Sequence, residues 1–147
     1  MLFISTLLSC DVIDTLVVQE KERSGQEVYQ TFCVHCHQAN GQGVATRYPP
    51  LDQSQWLKGD VPVKIILHGL KGPIEVAGES YNNVMAPWGM VLTDIEIAGV
   101  INHIRNSWGN RSLYSGEPTL TKDDVRAVRE KFKGSSNWTA EELRSAQ

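Results

Sequence analysis

The chain has 147 residues, 41% of them hydrophobic and 21% charged, with 14 Lys and Arg against 17 Asp and Glu for a formal charge of −3. That length suits one domain with an extension, and the acidic balance gives no basic footprint for nucleic acid. Beyond the first nine residues no apolar run approaches the length that spans a bilayer, so a membrane-embedded body is excluded.

The first element is "MLFISTLLSC": an apolar stretch from Leu2 to Leu8, then Ser9 and Cys10. An apolar stretch ending in a small residue before a cysteine resembles a lipoprotein signal, so residues 1–10 read as a signal segment with Cys10 as an acylation site. No Lys or Arg precedes the stretch, which is also short for a signal. A single acyl chain would hold the protein to a membrane only weakly. Residues 11–23 show no helical or strand period and read as a linker.

Ser24 and Gly25 open a predicted helix with Val28, Phe32 and Cys36 on one face at i, i+4, i+8. It ends in "FCVHCHQANGQG", where Cys33 and Cys36 lie three positions apart and His37 follows directly. Residues 38–50 are polar, rich in Gly and end in Pro, which predicts an extended loop. A short turn at 54–57 precedes a helix opened by Asp60, with Pro62 in its first turn and Gly69 at its end. Residues 71–92 show no sustained period, and a loop of that length inside one domain needs a function. "LTDIEIAGVINHIRNSWGN" is the clearest helix: Thr93 and Glu96 form a capping box, Ile97, Val100, Ile101, Ile104 and Trp108 form an apolar stripe, and Gly109 stops it. Another helix is expected from Thr121 to about Lys133, and a last turn where Thr139 stands three before Glu142. No repeat and no strand signal is found, so the fold class is all-α with long loops.

Three chemistries compete for Cys33, Cys36 and His37. Structural zinc needs two more Cys or His ligands at short spacing, and Cys10, His68 and His103 are isolated in sequence. A thioredoxin-like dithiol needs a βαβ context and leaves His37 idle. Covalent haem attachment uses all three residues: both thiols, one turn apart, bond to the vinyl groups, and the histidine becomes the proximal iron ligand. Chance yields such a pentapeptide in about one chain in a thousand. Thioether attachment outside the cytoplasm also accounts for cysteines that are not paired in the manner of disulfides. His35, inside the motif, is read as facing solvent.

With haem, the chemistry turns on the sixth position. Met85 is the favoured ligand, because it sits in the long loop that needs a reason for order and Pro87 stiffens the chain behind it. Met90, His68, His103 and an open position are the alternatives. An open site would make the protein a small-ligand sensor or a peroxidase-like catalyst, and zinc would make it a metal-binding module. A thioether ligand favours ferrous iron and raises the reduction potential relative to a second histidine.

Taken together, "GQEVYQTFCVHCHQANGQG", "YPPL", "NNVMAPWG" and "LTDIEIAGVINHIRNSWGN" resemble the single-haem class I cytochromes c, in particular bacterial carriers that serve as subunits or domains of periplasmic dehydrogenases, reductases and oxidases. The resemblance spans residues 24–110 and continues more weakly through "LTKDDVRAVREKF". It implies a helical shell around one haem c, with the first and last core helices crossing at Gly25, Tyr29, Ile104 and Trp108. It implies that a carbonyl ahead of Leu51, that of Pro49 in preference to Pro50, holds the proximal imidazole, and that Trp56 reaches a haem propionate. It implies an electron carrier, not an enzyme, between redox protein donors and acceptors in the periplasm or another extracytoplasmic space. The carrier would be free, anchored through Cys10, or a subunit of a larger oxidoreductase. The docking rim would lie near the cysteines and near Ala86, Pro87 and Trp88. Ala86-Pro87 departs from the consecutive prolines that many relatives carry after the methionine. Residues 111–147 are an added C-terminal helical extension whose role the sequence leaves open, a docking element being one option.

Overall fold

The computed structural model describes residues 21–146; Cys10 and the segment 1–10 lie outside them. Ser24 begins the first helix with a capping box: its hydroxyl accepts the Glu27 backbone N–H, and its own N–H donates to the Glu27 carboxylate at 2.7 Å. The rod runs through α1 (Gly25–Val28), a π-helical turn (Tyr29–Cys33) and α2 (Val34–His37). The wide turn, closed by Val34 N–H on Tyr29 C=O, shifts the helical phase just before the second cysteine, a device common at functional sites.

This rod crosses α4 (Asp94–Arg105), where Thr93 and Glu96 form the expected capping box. The crossing point is Gly25 on Gly99, so close that a side chain at Gly25 would collide with the Gly99 carbonyl. The glycine at the crossing therefore has a glycine as its partner, and Ile104 is instead a core residue. Ile97, Val100, Ile101 and Ile104 of α4 are all buried, with Val28 and Tyr29 opposite them. The helix ends at Arg105, earlier than its apolar stripe suggests. Trp108 lies beyond it in a left-handed conformation (φ 50°) and covers Gly41, whose missing side chain makes room for the indole. The Tyr29 ring meets the edge of Trp108 at 5.5 Å.

Between these helices lie a turn of 3-10 helix (Gln55–Leu57) and α3 (Val61–His68), ended by Gly69 at φ 82°. Asp60 precedes α3 without capping it; its carboxylate holds the fully buried Lys64 at 2.9 Å instead.

The loop expected over 71–92 contains an antiparallel hairpin, β1 (Ile74–Val76) with β2 (Glu79–Tyr81), so the all-α architecture carries one small addition. Ala77 and Gly78 both take positive φ, as a tight two-residue hairpin turn requires. Strands of three residues are too short to display alternation, and alanine is not a residue that announces such a turn.

The chain closes with α5 (Asn110–Leu113), α6 (Lys122–Lys131) and α7 (Ala140–Ser145). Capping boxes at Thr121 with Asp124 and at Thr139 with Glu142 start the last two. Val125 and Val128 of α6 join the core around α4. Ala140 and Leu143 of α7 join a second cluster with Trp56, Leu70, Ile74, Val76 and Tyr81. Burying the Leu143 side chain alone stabilises this docking by about 2 kcal/mol. The extension's apolar faces thus lie against its own body.

Candidate haem site

His37 ends α2 because Gln38 leaves the helix at positive φ. The imidazole is buried, and its Nδ1–H donates to the Pro49 carbonyl at 2.9 Å. That bond fixes the tautomer: with the proton on Nδ1, Nε2 keeps its lone pair for a metal. Burial lowers the His37 pKa, partly offset by the bond to Pro49, so the ring is held neutral.

The loop that presents Pro49 is pinned by residues the sequence analysis did not single out. Asn110, fully buried, donates to the carbonyls of Leu51 and Ile104 and accepts the Gln53 N–H at 2.6 Å. Asp52 accepts the Gly109 N–H. One signal pointed there: an asparagine just past the strongest helix, where an amide can close off the last carbonyls.

Cys33 and Cys36 are half-buried and not disulfide-bonded. Burial and the neighbouring Cys36 push the Cys33 thiol up to about 12. A thioredoxin-like dithiol needs a βαβ setting, and the strands among the described residues form only a short antiparallel hairpin, which argues against the dithiol reading. Zinc fares no better: among the described residues no three His, Cys, Asp or Glu side chains gather to hold a metal.

In front of this helix end lie two adjoining cavities. Phe32, Cys33, His37, Met85 and Trp88 line both. Cys36 and Pro49 border the second; Trp56, Leu57 and Ile101 border the first. The space is lined mainly by apolar and aromatic side chains, with an imidazole and a thioether among them. That donor set and that apolar lining fit a porphyrin held by thioethers, which needs an apolar slot for the ring and soft or borderline donors for the iron.

The Met85 backbone N–H and C=O both pair with Leu70, at 2.9 and 3.0 Å. Trp88 is held by its N–H on the Ile66 carbonyl and by its ring, edge-on to Phe32 at 5.3 Å. The other candidate ligands lie elsewhere. Met90 is 99% exposed, His103 packs at a tilt against Tyr29, and His68 sits at the end of α3; neither histidine lines the two cavities. His35 is exposed. Trp56 is a cavity wall, but its indole N–H donates to the Glu75 carbonyl at 2.8 Å, so its visible contribution is apolar shape.

The sequence profile of the cytochrome c family matches residues 23–108. Cytochrome c-552 of Thermus thermophilus is 36% identical over 116 residues, covering 75% of this chain and 87% of that protein. The cytochrome c subunit of a quinone alcohol dehydrogenase from Gluconacetobacter polyoxogenes is 32% identical over 79% of this chain, and the gluconate 2-dehydrogenase cytochrome c subunit of Pantoea cypripedii 29% over 75%. This chain spans only 25% of each of those two dehydrogenase subunits. The helical shell, the paired thiols beside a buried imidazole and these matches lead to one conclusion: the chain belongs to the cytochrome c family, an electron carrier with covalently bound haem c and not an enzyme.

Proposed function

We propose that His37 and Met85 are the two axial ligands of the iron, that Cys33 and Cys36 carry the thioethers, and that the chain moves single electrons between redox proteins outside the cytoplasm. The observation that carries this reading is the placement of Met85 on the same cavities as Cys33 and His37, with its backbone tied on both sides to Leu70. When bound, haem c supplies a one-electron ferric/ferrous couple. The residues do the rest. Pro49 orients His37, and the apolar walls, Trp56 among them, keep water from the iron's surroundings and so favour the less charged ferrous state. A sixth position closed by Met85 restricts the site to electron transfer and speaks against a sensor or peroxidase-like role.

Partners would dock where the loop around Met85 reaches the surface. Val84, Ala86, Pro87, Met90 and Val91 are all exposed there. An apolar rim on a chain of charge −3 points to docking by local hydrophobic contact, with a rate only weakly dependent on salt; a steep salt dependence would contradict it. Two of the relatives are named as cytochrome subunits of dehydrogenases, which supports the role of a subunit or partner of a larger oxidoreductase. No helix among the described residues is long and apolar enough to cross a membrane, and attachment through acylated Cys10 is the proposed anchor.

The deciding experiment is the absorption spectrum of the purified holoprotein in both redox states. A weak ferric band near the red end, diagnostic of sulfur ligation, together with a ferrous form that does not bind CO rapidly, is the expected result. Rapid CO binding without that band would overturn the ligation.

A further inference from the structure

On the outer side of the loop that carries Met85, Asn82, Asn83, Val84, Ala86 and Pro87 are exposed, and the Asn83 amide donates to the Arg47 carbonyl at 2.7 Å. Its inner edge rests on Leu70 through the paired backbone bonds of Met85. The opposite edge of the same strand segment is occupied by the tail. The Trp138 N–H donates to the Gly69 carbonyl at 2.9 Å, the Lys71 N–H donates to the Trp138 carbonyl at 2.8 Å, and the Asn137 N–H donates to the His68 carbonyl at 2.7 Å. Met85, Leu70 and Trp138 therefore stand side by side, joined by two backbone bridges with Leu70 in the middle.

Gly69 shows how tight the stack is. A methyl group there would lie 2.7 Å from the Met85 carbonyl oxygen and 2.8 Å from the Asn137 side-chain oxygen. A second tie comes from α6: the Arg129 guanidinium donates to the Gly89 carbonyl at 2.6 Å while anchored to Asp94 at 2.8 Å. Behind Trp138, its ring packs edge-on to Phe132 at 5.1 Å. The buried Lys64 of α3 donates to the Ala146 carbonyl at 2.8 Å, and Leu143 is fully buried, so the tail is also fastened beyond Trp138.

We propose that Trp138 and Arg129 are positioning residues for the sixth ligand: the C-terminal extension braces the Met85 loop from behind, through Gly69–Leu70 and through Gly89. The proposal rests on Met85 being an iron ligand. An iron–thioether bond is weak, so its persistence depends on a loop already held in the bonding conformation; ordering a free loop would cost entropy that this bond cannot repay. Loosening the brace makes Met85 easier to displace without touching the haem or His37.

The test uses full-length ferric holoprotein titrated with imidazole, which competes with the sixth ligand. Trp138→Ala combined with Arg129→Gln is expected to bind imidazole about tenfold more tightly, with a weakened red-end sulfur band and a lowered midpoint potential. Both substitutions at 138 keep the backbone bonds, so what Trp138→Ala removes is the ring that packs on Phe132 and holds that segment in place; Trp138→Phe, which keeps an aromatic ring there, should return close to wild type. The control is Val28→Ala, which costs stability in the α1–α4 core away from the loop and should leave imidazole affinity unchanged. If the double variant fails to fold, Arg129→Gln alone decides, with an expected gain of about threefold. Imidazole affinities of the tail variants equal to that of Val28→Ala would overturn the brace. A wild-type spectrum without the sulfur band is a different result, since it removes Met85 as ligand.

Discussion

The two sides of the haem site are built in different ways. On the His37 side, both thiols and the imidazole come from five consecutive residues at one helix end, and the bond that orients the ring comes from Pro49, twelve residues on. On the Met85 side nothing is local: the methionine is paired with Leu70, its neighbour Trp88 with Ile66 and Phe32, and Leu70 in turn with Trp138. A helix fixes side-chain directions by its own hydrogen bonds, so attachment needs little tertiary help. A loop has no such internal frame, and its geometry must be imposed by whatever it lies against.

The comparison breaks or sharpens under substitution. The largest effect belongs to Cys33→Ala combined with Cys36→Ala, which should abolish covalent haem altogether; an intact mass equal to the bare polypeptide, after expression in a host able to mature cytochromes, checks it. On the proposed ligation, Met85→Ala should keep the thioethers and lose only the distal bond. Its mass stays that of the holoprotein, the sulfur band disappears, and the midpoint falls by a sizeable part of the roughly 0.8 V that axial ligands span. If Met85→Ala lost haem as well, the two halves would not be separable.

Gly69→Ala probes the seam between the loop and its brace. With φ at 82° and two oxygens within 3 Å of the added methyl, it should destabilise by about 2–3 kcal/mol in denaturant unfolding and weaken the sulfur band more than an equally destabilising change in the α1–α4 core.

The smallest expected effect is on pH dependence. Arg23 binds Glu96 through two hydrogen bonds, of 2.6 and 3.1 Å, and this holds the carboxyl below the usual carboxylate range, with help from the Thr93 N–H. The folded-state pKa lies under the unfolded value of about 4.3, so the pair's stabilisation is complete above that value and is lost as pH falls through the folded pKa. Arg23 is partly exposed, which limits the contribution to about 1 kcal/mol. Arg23→Ala should flatten stability against pH below about 4.3 and lower the neutral plateau by that amount; identical acid limbs in the two proteins would contradict the assignment.

The sequence displayed the helices whose signals are local. Thr93 with Glu96, and Thr139 with Glu142, mark their starts because a capping box is written in four residues. Trp108 misled as part of the α4 stripe, because apolar periodicity does not register a backbone that turns left-handed to cover Gly41. The hairpin at 74–81 escaped for a similar reason: each of its strands is three residues long and gains its order by packing on α7, about sixty residues away. Asn110 looked like an ordinary helix-end residue until its amide was found joining Leu51, Gln53 and Ile104.

By itself, then, the sequence determined what short-range chemistry can specify: helix starts, the all-α class, and a motif of two thiols and an imidazole whose spacing is set by one helical turn. Only the tertiary structure decided that Met85 shares the cavities with His37 while Met90 stands in solvent, and that residues 137–138 lie one strand behind it. Those outcomes depend on contacts between segments far apart in the chain, where burial and backbone pairing select among residues that local pattern treats alike.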